Sequence, residues 1–210
     1  MPRPSERTLV VVNFNAARAR RAWPGIREQL TRAGLRFEVD APASPDETEP
    51  AVRRALCEGF RTIAVVGGDG TLSAAARGFF DTHEGSREPS SLNPSEPHAP
   101  PDTPALPPSS ELCAPPAPVN SSAALAVLPA GTGDDFARGL AGRRAHLDEW
   151  LRRLVAHCRR SEEDGAGSAR SVDVLCAEVD GGARRFVCLN AATLGVGAEV
   201  ASRVAAQGPA

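Results

Sequence analysis

The chain has 210 residues, room for one full domain and part of a second. Its 24 basic and 26 acidic residues leave a formal charge of −2, which excludes the dominant basic footprint of a nucleic-acid binder. It has no apolar stretch of membrane-spanning length and no signal-peptide pattern, and its five cysteines form no CxxC pair. The expectation is a cytoplasmic α/β protein with free thiols.

Thr8 to Asn13 is a β-branched run ending in a polar residue, the pattern of a buried parallel strand. A helix is expected from Pro24, with Ile26, Leu30 and Ala33 on one face and Gly34 as its cap. Phe37-Glu38-Val39 reads as a second strand. Ser44-Pro45-Asp46-Glu47 opens a second helix that carries Val52, Ala55 and Leu56 and stops at Gly59. Thr62 to Val66 is a third strand, apolar on both faces, and a helix from about Leu72 to Phe80 follows its glycine loop. Strand and helix alternate. The fold class is therefore α/β, an open parallel sheet with helices on both faces.

The alternation then breaks. Residues 85–122 hold 11 of the chain's 19 prolines and a single basic residue, Arg87. So few apolar groups cannot offset the chain entropy lost on ordering, and the segment reads as a disordered surface insertion, a linker rather than a proline-rich ligand. Order resumes with a fourth strand at Ala124 to Leu128, followed by Pro129 and a second glycine loop. Leu147, Leu151, Leu154, Val155 and Cys158 then form a helical stripe. Arg152, Arg153, Arg159 and Arg160 occupy the opposite side, a solvated face in preference to a lipid contact. Ser171 to Val179 and Arg184 to Asn190 resemble two strands turned around Asp180-Gly181-Gly182. The organisation expected is a domain over residues 1–165 and, over 166–210, the start of an antiparallel β-sandwich domain that the chain ends too soon to finish.

Two loops carry the chemistry. Gly67-Gly68-Asp69-Gly70-Thr71 follows a buried strand and opens a helix, at the strand end where ligands collect in open parallel sheets. Its glycines would let the backbone approach an anion and adopt positive φ. The helix N–H groups and dipole would favour phosphate. Thr71 could cap the helix or donate to a phosphate oxygen. Asp69, an anion in that company, would hold a divalent cation through water or accept a proton from a hydroxyl nucleophile. The second loop, Pro129-Ala130-Gly131-Thr132-Gly133-Asp134-Asp135-Phe136, repeats the arrangement, with Asp134 or Asp135 capping the next helix. Neither a Walker A lysine, a Rossmann GxGxxG nor a protein-kinase motif set is present.

Together Gly67-Gly68-Asp69-Gly70-Thr71 and Gly131-Thr132-Gly133-Asp134-Asp135-Phe136-Ala137-Arg138 resemble the diacylglycerol kinase catalytic domain family, which includes bacterial lipid kinases and sphingosine kinases. Phe186 to Asn190 and Gly195 to Val200 are similar to the entry into that family's second domain. The resemblance implies the N-terminal fold shared by NAD kinases and diacylglycerol kinases. It also implies transfer of phosphate from ATP to a lipid hydroxyl with Mg²⁺, at a membrane surface touched peripherally and with no nucleic-acid partner. Asn13, Gly67, Gly68, Asp69, Gly70, Thr71, Gly131, Thr132 and Asp134 would then bind the nucleotide. Asp69 would serve as cation holder or base, and no protein metal ligands are assigned within the chain.

Four departures from the family pattern stand out. Phe14 follows Asn13 where the family has proline, Ser73-Ala74 replace Asn-Glu, Asp134 replaces Asn, and Asp40-Ala41 offer no nucleotide-contacting threonine. The family's acidic ligands and base from its second domain would lie beyond Ala210. A non-catalytic nucleotide-binding protein is therefore the alternative. A NAD kinase is a further one, suggested by the first loop with Leu72 and Ala75-Ala76-Arg77 and opposed by the second loop.

Overall fold

A computed structural model describes residues 7–81, 116–164, 169–179 and 184–190. Four parallel strands, β1 (Thr8–Val12), β2 (Phe37–Asp40), β3 (Thr62–Gly67) and β4 (Ala124–Pro129), form a sheet in the order β2-β1-β3-β4. Thr8 lies beside Phe37 on one side and Thr62 on the other, and Thr62 lies beside Ala124. The helices are α1 (Ala17–Arg32), α2 (Pro45–Cys57), α3 (Asp69–Arg77), α4 (Asp135–Ala141) and α5 (Leu147–Asp164). An antiparallel pair, β5 (Leu175–Val179) and β6 (Arg184–Cys188), follows, so a second sheet begins after the parallel one.

Side chains alternate across a strand, so the continuous apolar runs of β1 and β3 require a cover on each face. Val10, Val12, Ala64 and Val66 meet Ile26 and Leu30 of α1 and Leu151 and Leu154 of α5. Leu9, Val11, Ile63 and Val65 meet Val52 and Leu56 of α2 and Leu72 and Ala75 of α3. Each fully buried valine or isoleucine contributes about 1.5–3 kcal/mol in transfer free energy, which makes β1 and β3 the anchor of the sheet. Leu189, just past β6, packs into the α2–α3 layer and fastens the hairpin to the sheet domain.

Four expectations are corrected. α1 begins at Ala17, seven residues before Pro24, which sits inside the helix on an exposed turn. Arg20, whose carbonyl the proline leaves without its usual donor, is exposed as well, so water can replace that donor and the helix continues. α3 begins at Asp69, inside the glycine loop, and ends at Arg77. Residues 116–122, expected within the insertion, are placed: Pro118 bridges Phe80, the Val119 N–H donates to the Phe79 carbonyl at 2.8 Å, and Val119 packs on the core. Residues 85–115 lie outside the described residues, as does the turn at Asp180-Gly181-Gly182. The first hairpin strand starts at Leu175, not Ser171.

Candidate functional site

From β1 the chain crosses to β2 on one side, then returns past β1 to β3 on the other. The crossovers thus diverge between the C-terminal ends of β1 and β3, the switch point where open α/β sheets bind ligands. Asn13 closes β1 at that point. Its N–H donates to the Val66 carbonyl at 3.1 Å, and its Nδ2 donates to Thr71 Oγ1 at 2.8 Å. Its Oδ1 accepts from the N–H groups of Asn15 (3.0 Å) and Ala16 (3.3 Å), an Asx turn leading into α1. One residue thereby fixes the end of β1 through its main chain and the beginnings of two helices through its side chain. Thr71 is buried and lies within the first turn of α3, so it does not cap that helix; Gly68 holds the cap position. Since the Thr71 hydroxyl accepts from Asn13, its own proton remains to be donated elsewhere.

The two glycine loops touch. A Cβ placed on Gly131 would stand 2.5 Å from Gly68 Cα, and one on Gly68 would stand 3.1 Å from Gly131 Cα. A Cβ on Gly67 would strike the Thr71 side chain at 2.9 Å. Positive φ is not the reason for these glycines: it occurs at Gly34, Gly59 and Gly142, which follow helices. Backbone contact is the reason. Gly70 differs, because a Cβ there would meet nothing within 4 Å. The protein leaves the space beside the α3 N-terminus clear.

Asp69 and Asp134 bind the loops together. Asp69 Oδ2 accepts the Asp135 N–H at 2.9 Å, and Oδ1 accepts the Phe136 N–H at 3.0 Å. The first loop therefore caps α4, and the side chains of Asp134 and Asp135, expected as caps, do not. Asp134 instead sits in the left-handed region at φ 54° and turns Oδ1 back to the Gly131 N–H at 2.8 Å. Asparagine, the family residue there, offers the same oxygen and the same backbone tolerance, so the exchange preserves the turn. Asp135 pairs with Arg138, and Thr132 is exposed at the loop tip. Among the described residues, no three His, Cys, Asp or Glu side chains gather into a metal site.

Two contributors escaped the sequence. Arg18 of α1 donates from Nη1 to the Gly131 carbonyl at 2.7 Å, a contact that no spacing rule encodes. Phe14 stacks edge-on against Trp23 with centroids 6.4 Å apart, and Trp23 does the same to Phe37 at 6.5 Å. Phe14, where the family pattern has proline, makes that contact from a partly exposed position. The replacement of Asn-Glu by Ser73-Ala74 has a packing counterpart too, because Ala74 is fully buried and a carboxylate there would be stranded.

An open parallel sheet, two abutting glycine loops at its switch point and an aspartate-clamped helix define an α/β protein of the kinase-like class. The diacylglycerol kinase catalytic domain model matches residues 7–163, most of the chain. The chain belongs to that family. No curated protein matches it.

Proposed function

We propose that this chain is the nucleotide-binding half of an ATP-dependent lipid kinase, which transfers a phosphoryl group to a lipid hydroxyl such as that of diacylglycerol. The observation carrying the proposal is the clamp from Asp69 to α4, which makes two glycine loops one surface at the switch point. Family membership supplies the reaction class. The chain's own residues fit the phosphates of ATP: Gly70 leaves room at the α3 N-terminus, and Thr71 has a hydroxyl proton to donate. Asn13, Gly67, Gly68, Gly131, Thr132 and Asp134 complete the surface. Positioning and charge compensation supply most of the acceleration in phosphoryl transfer, so rigid loops are themselves catalytic equipment.

Mg²⁺, when bound with ATP, would neutralise phosphate charge; it commonly uses one or two protein carboxylates and several waters, which suits a surface without a closed acidic cage. Asp69 has both oxygens engaged by main-chain donors, which favours a positioning role over that of base or metal ligand. No helix among the described residues is long and apolar enough to cross a membrane, so lipid would be met at the bilayer surface.

The same engaged oxygens favour one second reading, a nucleotide binder without transfer. Incubation with Mg²⁺-ATP labelled at the γ-phosphate and an extracted lipid mixture separates the two. Labelled lipid is the expected product. Protection from heat by ATP without any labelling establishes the second reading; neither protection nor labelling removes both.

A further inference from the structure

The sheet edge formed by β2 concentrates aromatic and basic side chains. Residues 16–37 hold six arginines and a single glutamate in a chain whose formal charge is −2. That glutamate, Glu28, is already paired with Arg32 at 2.6 Å. A groove of about 620 Å³ runs between α1 and β2, walled by Phe14, Trp23, Phe37 and Val39 and flanked by Arg27 and Arg36. Val39 is 45% exposed and Phe14 37%, so the apolar strip is open to solvent. None of the described residues lining the groove is acidic. Glu38, between Phe37 and Val39, projects to the other face of the sheet, as strand alternation requires, and pairs with Arg7 at 2.8 Å. Arg27 and Arg36 are exposed and form no hydrogen bond or ion pair among the described residues. Arg20, on the same side of α1 as Trp23 and Arg27, places one of its five donors on the Phe14 carbonyl at 3.1 Å. The hairpin that follows the sheet is fastened by Leu189 to the α2–α3 layer, whereas α1 covers the opposite face, so the hairpin leaves this edge open.

We propose that this edge docks on an anionic bilayer surface, with Arg20, Arg27 and Arg36 on the lipid phosphate and carboxylate groups and Phe14, Trp23 and Val39 entering the headgroup layer. An exposed apolar strip marks an interaction surface, and the unpaired guanidinium groups around this one select a negatively charged partner. Tryptophan suits the boundary between water and acyl chains, because its ring is apolar and its N–H is polar. A second copy joined edge to edge about a two-fold axis would set the same arginines against each other. The strip starts at Phe14, directly after Asn13, so a bilayer held there lies beside the switch point where the glycine loops meet. The choice of a bilayer rests on the lipid-kinase reading, since such an enzyme meets its acceptor there; the charge pattern stands without it.

Vesicle flotation without nucleotide tests the face. Phosphatidylcholine vesicles rich in phosphatidylserine are compared with pure phosphatidylcholine, at low and high salt. Binding to the anionic vesicles alone, weakened by salt, is expected. Arg27→Gln combined with Arg36→Gln should lower that binding about 25-fold at low salt, roughly fivefold for each charge, while heat protection by ATP is unchanged. Val39→Asp, which puts a carboxylate into the strip, should lower it by about tenfold or more. Bromine-labelled acyl chains should quench tryptophan emission, because Trp23 lines the groove whereas Trp150 is buried. Absence of binding to anionic vesicles overturns the proposal. Full binding by the double arginine variant, binding without quenching, or a dimer that forms through this edge in place of vesicle binding does the same. Labelling of lipid in detergent micelles without vesicle binding sinks this face and leaves the kinase reading standing; vesicle binding without labelling does the reverse.

Discussion

Asp69 accepts the main-chain N–H of Asp135 at 2.9 Å although the two residues belong to different loops, and its other oxygen takes the next N–H, that of Phe136. The donors at the start of α4 are therefore satisfied from α3, and the two helices begin at a fixed separation. Asp69→Asn keeps one carbonyl oxygen and turns an amide NH₂ toward the second donor. The expected result is a loss of about 1–2 kcal/mol in urea melts together with weaker heat protection by ATP. A residue acting only as a base would lose transfer while leaving stability and ATP affinity intact.

Two glycines of the site make opposite predictions. Gly131→Ala would drive a methyl group to 2.5 Å from Gly68 Cα, where backbone meets backbone and nothing flexible can yield. The loops must separate, and a strongly lowered melting temperature is expected. Gly70→Ala meets nothing within 4 Å, and alanine within a helix is favoured over glycine by about 0.5–1 kcal/mol. That variant is expected to melt higher while binding ATP less tightly, because the methyl group enters the cleared space. Parallel melts with and without ATP check both; a Gly70→Ala protein with full ATP affinity would place the phosphates elsewhere.

Sequence patterns are readable where the physics is local. β1 and β3 are apolar on both faces, and α2 has Ser44-Pro45 at its start and Gly59 at its end, so both strands and this helix are legible from neighbouring residues. The glycine loops are legible as a site by their position at strand ends. What each residue does in them is not. The cap on α4 comes from Asp69, 66 positions earlier, whereas capping rules look one to three residues away. Gly68 and Gly131 are required by each other, a pairing that only the β3–β4 register creates. Pro24 misleads because a proline signals a helix start only if the preceding turn cannot form, and Ala17 to Trp23 form it.

The turn joining α4 to α5 has its own pH dependence. Arg143 donates to Glu149 Oε2 and Arg153 to Oε1, each at 2.6 Å. The Arg143 hydrogen bond, aided by the charges of Arg143, Arg153 and Arg152, holds the Glu149 carboxyl below its ordinary value against a raising effect of burial. A carboxyl depressed in the folded state binds protons more readily when unfolded. Its stabilising contribution is present above the unfolded carboxylate range and is lost as pH falls through the folded value. Glu149→Gln should therefore flatten the decline in melting temperature between about pH 6 and pH 3, and added salt should shrink the difference. Identical acid limbs for the two proteins would show that the ion pairs contribute nothing to folding.

Asp134 places an anion where ATP phosphates are proposed to lie, yet its oxygen is needed at the Gly131 N–H, 2.8 Å away. Asp134→Asn separates the two properties. It retains the acceptor and tolerates φ 54°, so stability should change by less than about 0.5 kcal/mol. It also removes a negative charge, so ATP affinity should rise roughly twofold to fivefold at low salt. Asp134→Ala leaves the Gly131 N–H without its partner and puts a residue poorly suited to the left-handed region at that turn, a loss of about 1–3 kcal/mol. Urea melts and calorimetric ATP titrations of the two variants provide the check. Weaker ATP binding by Asp134→Asn would mean that the carboxylate takes part in binding through a cation, since no other attraction to phosphate is open to it.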